Sequence, residues 1–409
     1  ALPCADIPHL IRLAMNGTPK PPLEGIRVID FTQIIAGPYC ARLLADCGAE
    51  VIKLEPVIGE HMRNAPPQRD GHSSYYGHLN AGKKSVAVNL TDPRVKDVVR
   101  QLVSESDIVV ENFRPGVMKK LGFGYETLSE ANPDLVYCAI SGFGQDGPRA
   151  LQPAYAPVVH AASGLDVSLG EFEPEGTPPR TSGAYFADYL AAIYAFGAIQ
   201  TGLLSRFRHG GGRFIDVALM DSVINMLVFE IQTSQFPMEW KRRGFGPIHA
   251  QDGFVIVTPI TQNNFERLVD AIDRPDMLQD DRFDAPFKRS ANWNDYMAEI
   301  EKWTSQRTAK ECEETLMAAG IPCSQYKSVG EAIQDTQFEA RGVMQTVTDA
   351  SGPFQVPNPP YVFEDGSVGV SSSVARAGEH SREVLTGLGG LDGASFDALV
   401  SDGLVSVAP

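Results

Sequence analysis

The chain has 409 residues, 43% hydrophobic and 21% charged, which supplies enough apolar material for a large packed core and excludes global disorder. Asp and Glu number 51 against 35 Lys and Arg, a formal charge of −16. So acidic a chain is a poor general binder of nucleic acid or anionic membrane, and any anionic ligand must be met by local cations or helix N-termini.

The first twenty residues lack a charged stretch followed by an apolar one, so no signal peptide is expected there. GIRVIDF (25–31) is a short β-branched run and predicts a buried strand. After the turn FTQIIAGP, the segment PYCARLLADCG predicts a helix with proline in its first turn and Gly48 beyond its end. AEVIKLE (49–55) is the next strand, completing a strand–helix–strand unit. KSVAVNL, TDPRVKDVVRQLVSESD and DIVVENF predict strand, capped helix and strand, and DLVYCAISGFG (134–144) predicts another strand. A Gly/Pro-rich connection follows, then helical sequence from about 154 to 208, the strand GGGRFIDVAL and the helix MDSVINMLVFEIQTSQF. AYFADYLAAIYAFGAIQTGLL (184–204) is apolar enough to suggest a membrane span, but it contains Asp188, Gln200 and several small residues, and a buried core helix is expected instead. A smaller α/β segment starts at DGFVIVTP, and two helices close the chain after PNPPYVF.

Alternating strands and helices predict an α/β fold: a Rossmann-like large domain with a parallel sheet and a smaller inserted α/β domain. The expected boundaries are 1–225 for the large domain, 226–240 for a linker, 241–335 for the small domain and 336–409 for the return to the large one. The six cysteines are scattered without C-x-x-C, as in a reduced, cytoplasmic protein, and the eight histidines show no ligand spacing, so no metal is expected.

The first turn lacks G-x-G-x-x-G, which argues against a dinucleotide. GHLNAGKKS (77–85) resembles a phosphate loop, but Lys84 stands where Ser or Thr is needed and a strand follows where the motif needs a helix. The Lys83–Lys84 pair and the Lys119–Lys120 pair of ENFRPGVMKKLGFG nevertheless lie near strand ends, where they could neutralise phosphates or decorate a solvated edge. Asp188 stands out most. Its neighbours from Ala184 to Phe196 are apolar, small or tyrosine, and a buried carboxylate needs donors, a ligand or a catalytic task. Its place in the first turns of a helix favours the anion, which would stay ionised and nucleophilic. A hydrogen-bonded structural aspartate is the alternative. His160 and His249 are read as packing or surface residues, and Asp221 as a helix cap.

Several segments, in order along nearly the whole chain, resemble the class III CoA-transferases. They include LEGIRVIDFTQIIAGPYCARLLADCGAEVIKLEP, NAGKKSVAVNL, DIVVENFRPGVMKKLGFGYETL, AISGFGQDGP, the Asp188 helix with RHGGGRFIDVALMDSV, DGFVIVTP and AGEHSREVLTGLG. The resemblance implies a ring-like chain interlocked with a second in a dimer, a homodimer or a heteromer with a homologous subunit. It implies no permanently bound cofactor. An acyl-CoA thioester, succinyl-CoA or a similar small one, would donate CoA to a carboxylic acid. It places the catalytic aspartate on Asp188 and the CoA contacts on Ile34, Ile35, Ala36, Lys83, Asn112, Phe113, Lys120 and Leu121, with Tyr155 near the acyl group. Formyl-CoA transferase has glutamine where Ile35 stands, and its glycine-rich loop is shortened here to RRGFGPIHAQDG. The racemase branch of the family is the alternative function. Its histidine–aspartate pair is missing from P-A-Y-A-P around Tyr155, which disfavours proton abstraction.

Overall fold

A computed structural model describes residues 20–174, 176–238 and 244–408. The readings made for the first nineteen residues and for Arg242 and Arg243 of the shortened loop lie outside these. The chain divides into two compact units. One takes in residues up to Gly170, Pro178–Gln232 and everything from Glu339 onwards; the other comprises Glu171–Thr177 and Thr233–Phe338.

The larger unit is built on a seven-stranded sheet. Its parallel strands are β1 (Arg27–Asp30), β2 (Glu50–Glu55), β3 (Lys84–Val88), β4 (Ile108–Glu111), β5 (Val136–Ser141) and β6 (Arg213–Ala218). They lie in the order β3-β2-β1-β4-β5-β6, and the short strand Val405–Ser406 adds antiparallel to β3. This is the doubly wound order, so the direction of winding reverses between β1 and β4. Alternate residues serve opposite faces. On one face Val28, Val51, Val110 and Cys138 pack with α1 (Ala36–Asp46) and the long helix Phe186–His209. On the other, Ile29, Ile52, Val86 and Val109 pack with Pro93–Ser104 and with Phe396 and Leu399 of the C-terminal helix. Both faces are covered, which is why the strands read as continuous β-branched runs.

The helix Phe186–His209 departs from the expectation of a buried core helix. Ala187, Ala191, Ala195 and Ile199 are buried, but Ile193, Tyr194, Leu204 and Phe207 are 45–88% exposed. By length and composition it could cross a membrane, yet its small-residue face lies against α1. Two further differences concern the connections. Part of the expected 226–240 linker is the helix Val228–Gln235, and residues 170–185, expected to be helical, contain no helix or strand among those described. The smaller unit holds a three-stranded antiparallel sheet of Ile248–Ala250, Gly253–Val257 and Cys323–Gln325. It packs around Phe265, Leu268, Tyr296, Ile300 and Leu316.

The connection from β1 to α1 is anchored by charges that water does not reach. Asp30, Lys53, Glu60 and Lys83 are each no more than 4% exposed. Lys83 Nζ lies 2.9 Å from Asp30 Oδ2 and also donates to the carbonyl of Pro38 and to Asn80 Oδ1. Lys53 Nζ lies 2.9 Å from Glu60 and donates to the Thr32 carbonyl at 2.7 Å. Glu60 is itself held through its own N–H by Glu55, which the Arg63 guanidinium grips with two bonds of 2.7 Å. Burial works to raise the Asp30 carboxyl, but Lys83 and Lys53 outweigh it and hold it below its ordinary value.

Removing one partner of such a pair strands the other in a medium that solvates it poorly. The substitution Lys83→Met should therefore cost about 3–5 kcal/mol of folding free energy. Urea denaturation of the full chain checks this; an unchanged midpoint and slope would show the pair to be unimportant.

Candidate active site

In open α/β sheets, ligands bind beyond the carboxyl ends of the strands where the winding reverses. Here that crevice lies between the turn after β1 and the loop after β4. It opens into a cavity of about 250 Å³ whose wall includes Gln33, Ile34, Ala36, Asn112, Phe113, Arg114, Ser141, Gly142, Tyr155 and Asp188. A second cavity of about 480 Å³ shares Gln33 and Phe113 with it and is lined further by Val57, Leu90 and Leu121.

The turn after β1 is strained. Ile34 has φ of 70°, a left-handed conformation that a β-branched residue adopts only under constraint. The constraint is visible on both sides. The Ile34 N–H donates to Glu60 Oε1 at 2.7 Å. The Asn112 side chain accepts from the Gln33 N–H at 2.8 Å and donates to the Gln33 carbonyl at 2.7 Å. Gly37 completes the turn, since a Cβ there would lie 2.3 Å from the Thr32 side chain. The result aims the Ala36 N–H, at the start of α1, at the carboxylate of Asp188.

Asp188 sits in the first turn of Phe186–His209. Burial pushes its carboxyl up to about 6, against hydrogen bonds from the Ala36 N–H and from its own. Desolvation thus outweighs the donors at the helix terminus, although the group is still mainly ionised at neutral pH. His160, read as a packing residue, has a specific partner. Its Nε2 accepts from the Ala187 N–H at 3.1 Å, capping the helix one residue before Asp188. Burial lowers its pKa, which favours the neutral ring that this acceptor role requires. Tyr75 and Tyr189 feel the same charge: both are held above the usual tyrosine range, chiefly by burial, with Asp188 adding to it.

Glu111 ends β4, just before the cavity residues Asn112 and Phe113, and accepts the Phe113 N–H at 2.7 Å. Burial pushes its carboxyl up to about 8, so it holds a proton at neutrality. Gly142 permits the close approach of the segment before Tyr155: a Cβ there would lie 2.5 Å from that of Ala154.

Of the ten residues singled out in the sequence, Ile34, Ala36, Asn112, Phe113, Tyr155 and Asp188 share the smaller cavity, and Leu121 lines the larger. Three are placed otherwise. Ile35 is 4% exposed and turns into the core beside Met62, Tyr76 and Leu79, because the reversed φ of Ile34 sends its neighbour inward. Lys83 spends its ammonium on Asp30, so it cannot meet a ligand phosphate. Its neighbour Lys84 is paired with Glu50 and Glu383. Lys120 is exposed on Val117–Leu121 and is in neither cavity wall. Gln33, Ser141 and Gly142 were not singled out; the rule that ligands gather at strand carboxyl ends would have found them. No pattern in the sequence marks Glu60 or His160, whose partners are 26 and 27 residues away.

Known proteins resemble this chain over most of its length. The chain is 34% identical to an acetyl-CoA:oxalate CoA-transferase from Acetobacter aceti, over 80% of this chain and 86% of that one. It is 29% identical to the human succinyl-CoA:glutarate CoA-transferase, over 94% and 90%. The crystal structure of a CAIB/BAIF family protein from Brucella suis superposes with a TM-score of 0.80 at 30% identity, covering 90% of this chain and all of that one. The family model for CoA-transferase family III matches residues 23–381, and the chain belongs to that family.

Proposed function

We propose that this enzyme transfers CoA from an acyl-CoA to a free carboxylic acid through covalent intermediates on Asp188. The observation that carries the reading is a desolvated but ionised carboxylate in the wall of the cavity at the reversal of the sheet, its anion favoured by the first N–H of α1. Desolvation makes the anion a better nucleophile, and the N–H directs one oxygen so that the other is free to attack.

The steps balance as follows. An Asp188 oxygen adds to the thioester carbonyl and expels CoA thiolate, leaving a mixed anhydride. The thiolate attacks the aspartyl carbonyl and releases the donor acid, which leaves an aspartyl-CoA thioester. The acceptor carboxylate attacks that thioester, giving a new anhydride and CoA thiolate. The thiolate then takes the acyl group and regenerates the Asp188 carboxylate. Dividing the exchange in this way avoids the direct reaction of a carboxylate with a distant thioester. The cavity at the carboxyl ends of β1 and β4 would take the acyl end of the substrate, and the larger one, reached past Phe113, would take the pantetheine arm. The racemase reading is not favoured: no histidine is among the residues lining the Asp188 cavity.

A second copy of the chain is the partner we propose for the exposed face of Phe186–His209, where Ile193, Leu204 and Phe207 recur at helical spacing. An interlocked homodimer is the arrangement the family resemblance implies. One relative is named as the beta subunit of a succinyl-CoA–L-malate CoA-transferase from Chloroflexus aurantiacus, at 30% identity, so sedimentation with and without a homologous chain separates the two assemblies.

Three outcomes test this. Asp188→Asn, nearly isosteric, should lower transfer by at least about 10³-fold while leaving the circular dichroism spectrum unchanged; near-normal turnover removes the covalent role. Incubation with acyl-CoA followed by hydroxylamine should convert Asp188 to its hydroxamate, read by peptide mass spectrometry. Because the anion must attack, and its pKa is raised to about 6, kcat/KM should fall as pH drops through that value, by about tenfold per unit below it. A profile flat from pH 7 to 5 contradicts the assignment.

A further inference from the structure

The transfer steps leave two polar groups in the cavity wall without a task. Arg114, three residues after β4, is the only basic side chain among the residues lining the Asp188 cavity. Its guanidinium enters no ion pair among the described residues, in a chain of net charge −16. Ser141 ends β5 and is 6% exposed, and its Oγ has no hydrogen-bond partner among the described residues. Leaving a buried hydroxyl unpaired costs about 1–3 kcal/mol, and a hydroxyl in a cavity wall is relieved by whatever enters the cavity.

The size of the cavity limits what enters. About 250 Å³ matches a short acyl group. Its charge limits the choice further. With Asp188 ionised, a second anion on the substrate would be repelled unless a cation received it at the other side. An arginine matches a carboxylate with two parallel hydrogen bonds, and a hydroxyl adds a third donor.

We propose that Arg114 and Ser141 form a receptor for the non-reacting carboxylate of a short dicarboxylic acyl group, and so select dicarboxylates over monocarboxylates. This rests on the transfer reading above and adds the substrate class to it. The phosphates of CoA offer the same anionic chemistry to Arg114, and the test separates the two.

The full chain is assayed with isosteric pairs: succinyl-CoA against butyryl-CoA as donors, and glutarate against pentanoate as acceptors. Wild type should prefer the dicarboxylic member of each pair. In Arg114→Gln the ratio of kcat/KM values, dicarboxylic over monocarboxylic, should fall at least about tenfold, and in Ser141→Ala by a smaller factor in the same direction. Inhibition by CoA should move less than twofold. An unchanged ratio overturns the proposal. So does an equal loss for all substrates with weakened CoA inhibition, which assigns the guanidinium to the phosphates. Calorimetry with succinate and butyrate reads the receptor without turnover. Succinate binding that Arg114→Gln abolishes supports it even if no CoA is transferred, a result that would strike the transfer reading alone. Equal binding of the two acids overturns the receptor whatever the turnover.

Discussion

The Ala36 N–H favours the anion of Asp188 from a turn that would not hold its shape by itself. Ile34 at φ of 70° is strained, and the strain is supported from below by ions that are themselves buried. Lys53 grips the carbonyl of Thr32 and Glu60 the N–H of Ile34, while Lys83 and Asp30 brace the two ends. Buried ion pairs contribute little net stability, because desolvation offsets their attraction. What they provide here is position. Each charge has one low-energy place for its partner, and the backbone between them has little freedom to move.

That rigidity has an electrostatic consequence. A carboxylate in water would be well solvated and weakly basic. In this crevice Asp188 loses most of its water and retains two N–H donors, so its affinity for a proton rises to about 6 without crossing neutrality. Glu111, at the end of β4, has one N–H donor and more complete burial, and rises to about 8. Of these two carboxyls, therefore, one is an anion and the other a neutral acid at neutral pH. The number of donors and the degree of burial decide which is which.

Much of the fold was legible in the sequence because both of its signals are local. The β-branched runs of β1, β2 and β4 and the proline and glycine that bracket α1 report strands and a helix within a few residues of themselves. Asp188 was legible for a similar reason, since a carboxylate among apolar neighbours demands an explanation wherever it lies. The errors came where a residue's direction depends on distant contacts. Ile35 and Lys83 sit beside true cavity residues in the sequence, but one turns into the core and the other is held by an aspartate 53 residues away. The helix Phe186–His209 was read as buried all round because its composition is apolar, whereas one of its faces is open.

By itself, then, the amino-acid sequence determined the alternation of strands and helices, the acidic character and the carboxylate set among apolar neighbours at Asp188. These follow from side-chain chemistry and from periodicities of two and 3.6 residues, which act over short range. Only the tertiary structure decided which lysines are spent on buried partners, that Asn112 clamps the backbone of Gln33, and that His160 caps the helix of Asp188. Those pairings join residues 7 to 79 positions apart, and a hydrogen bond or an ion pair has no signature along the chain until folding brings its two ends within three ångströms or so.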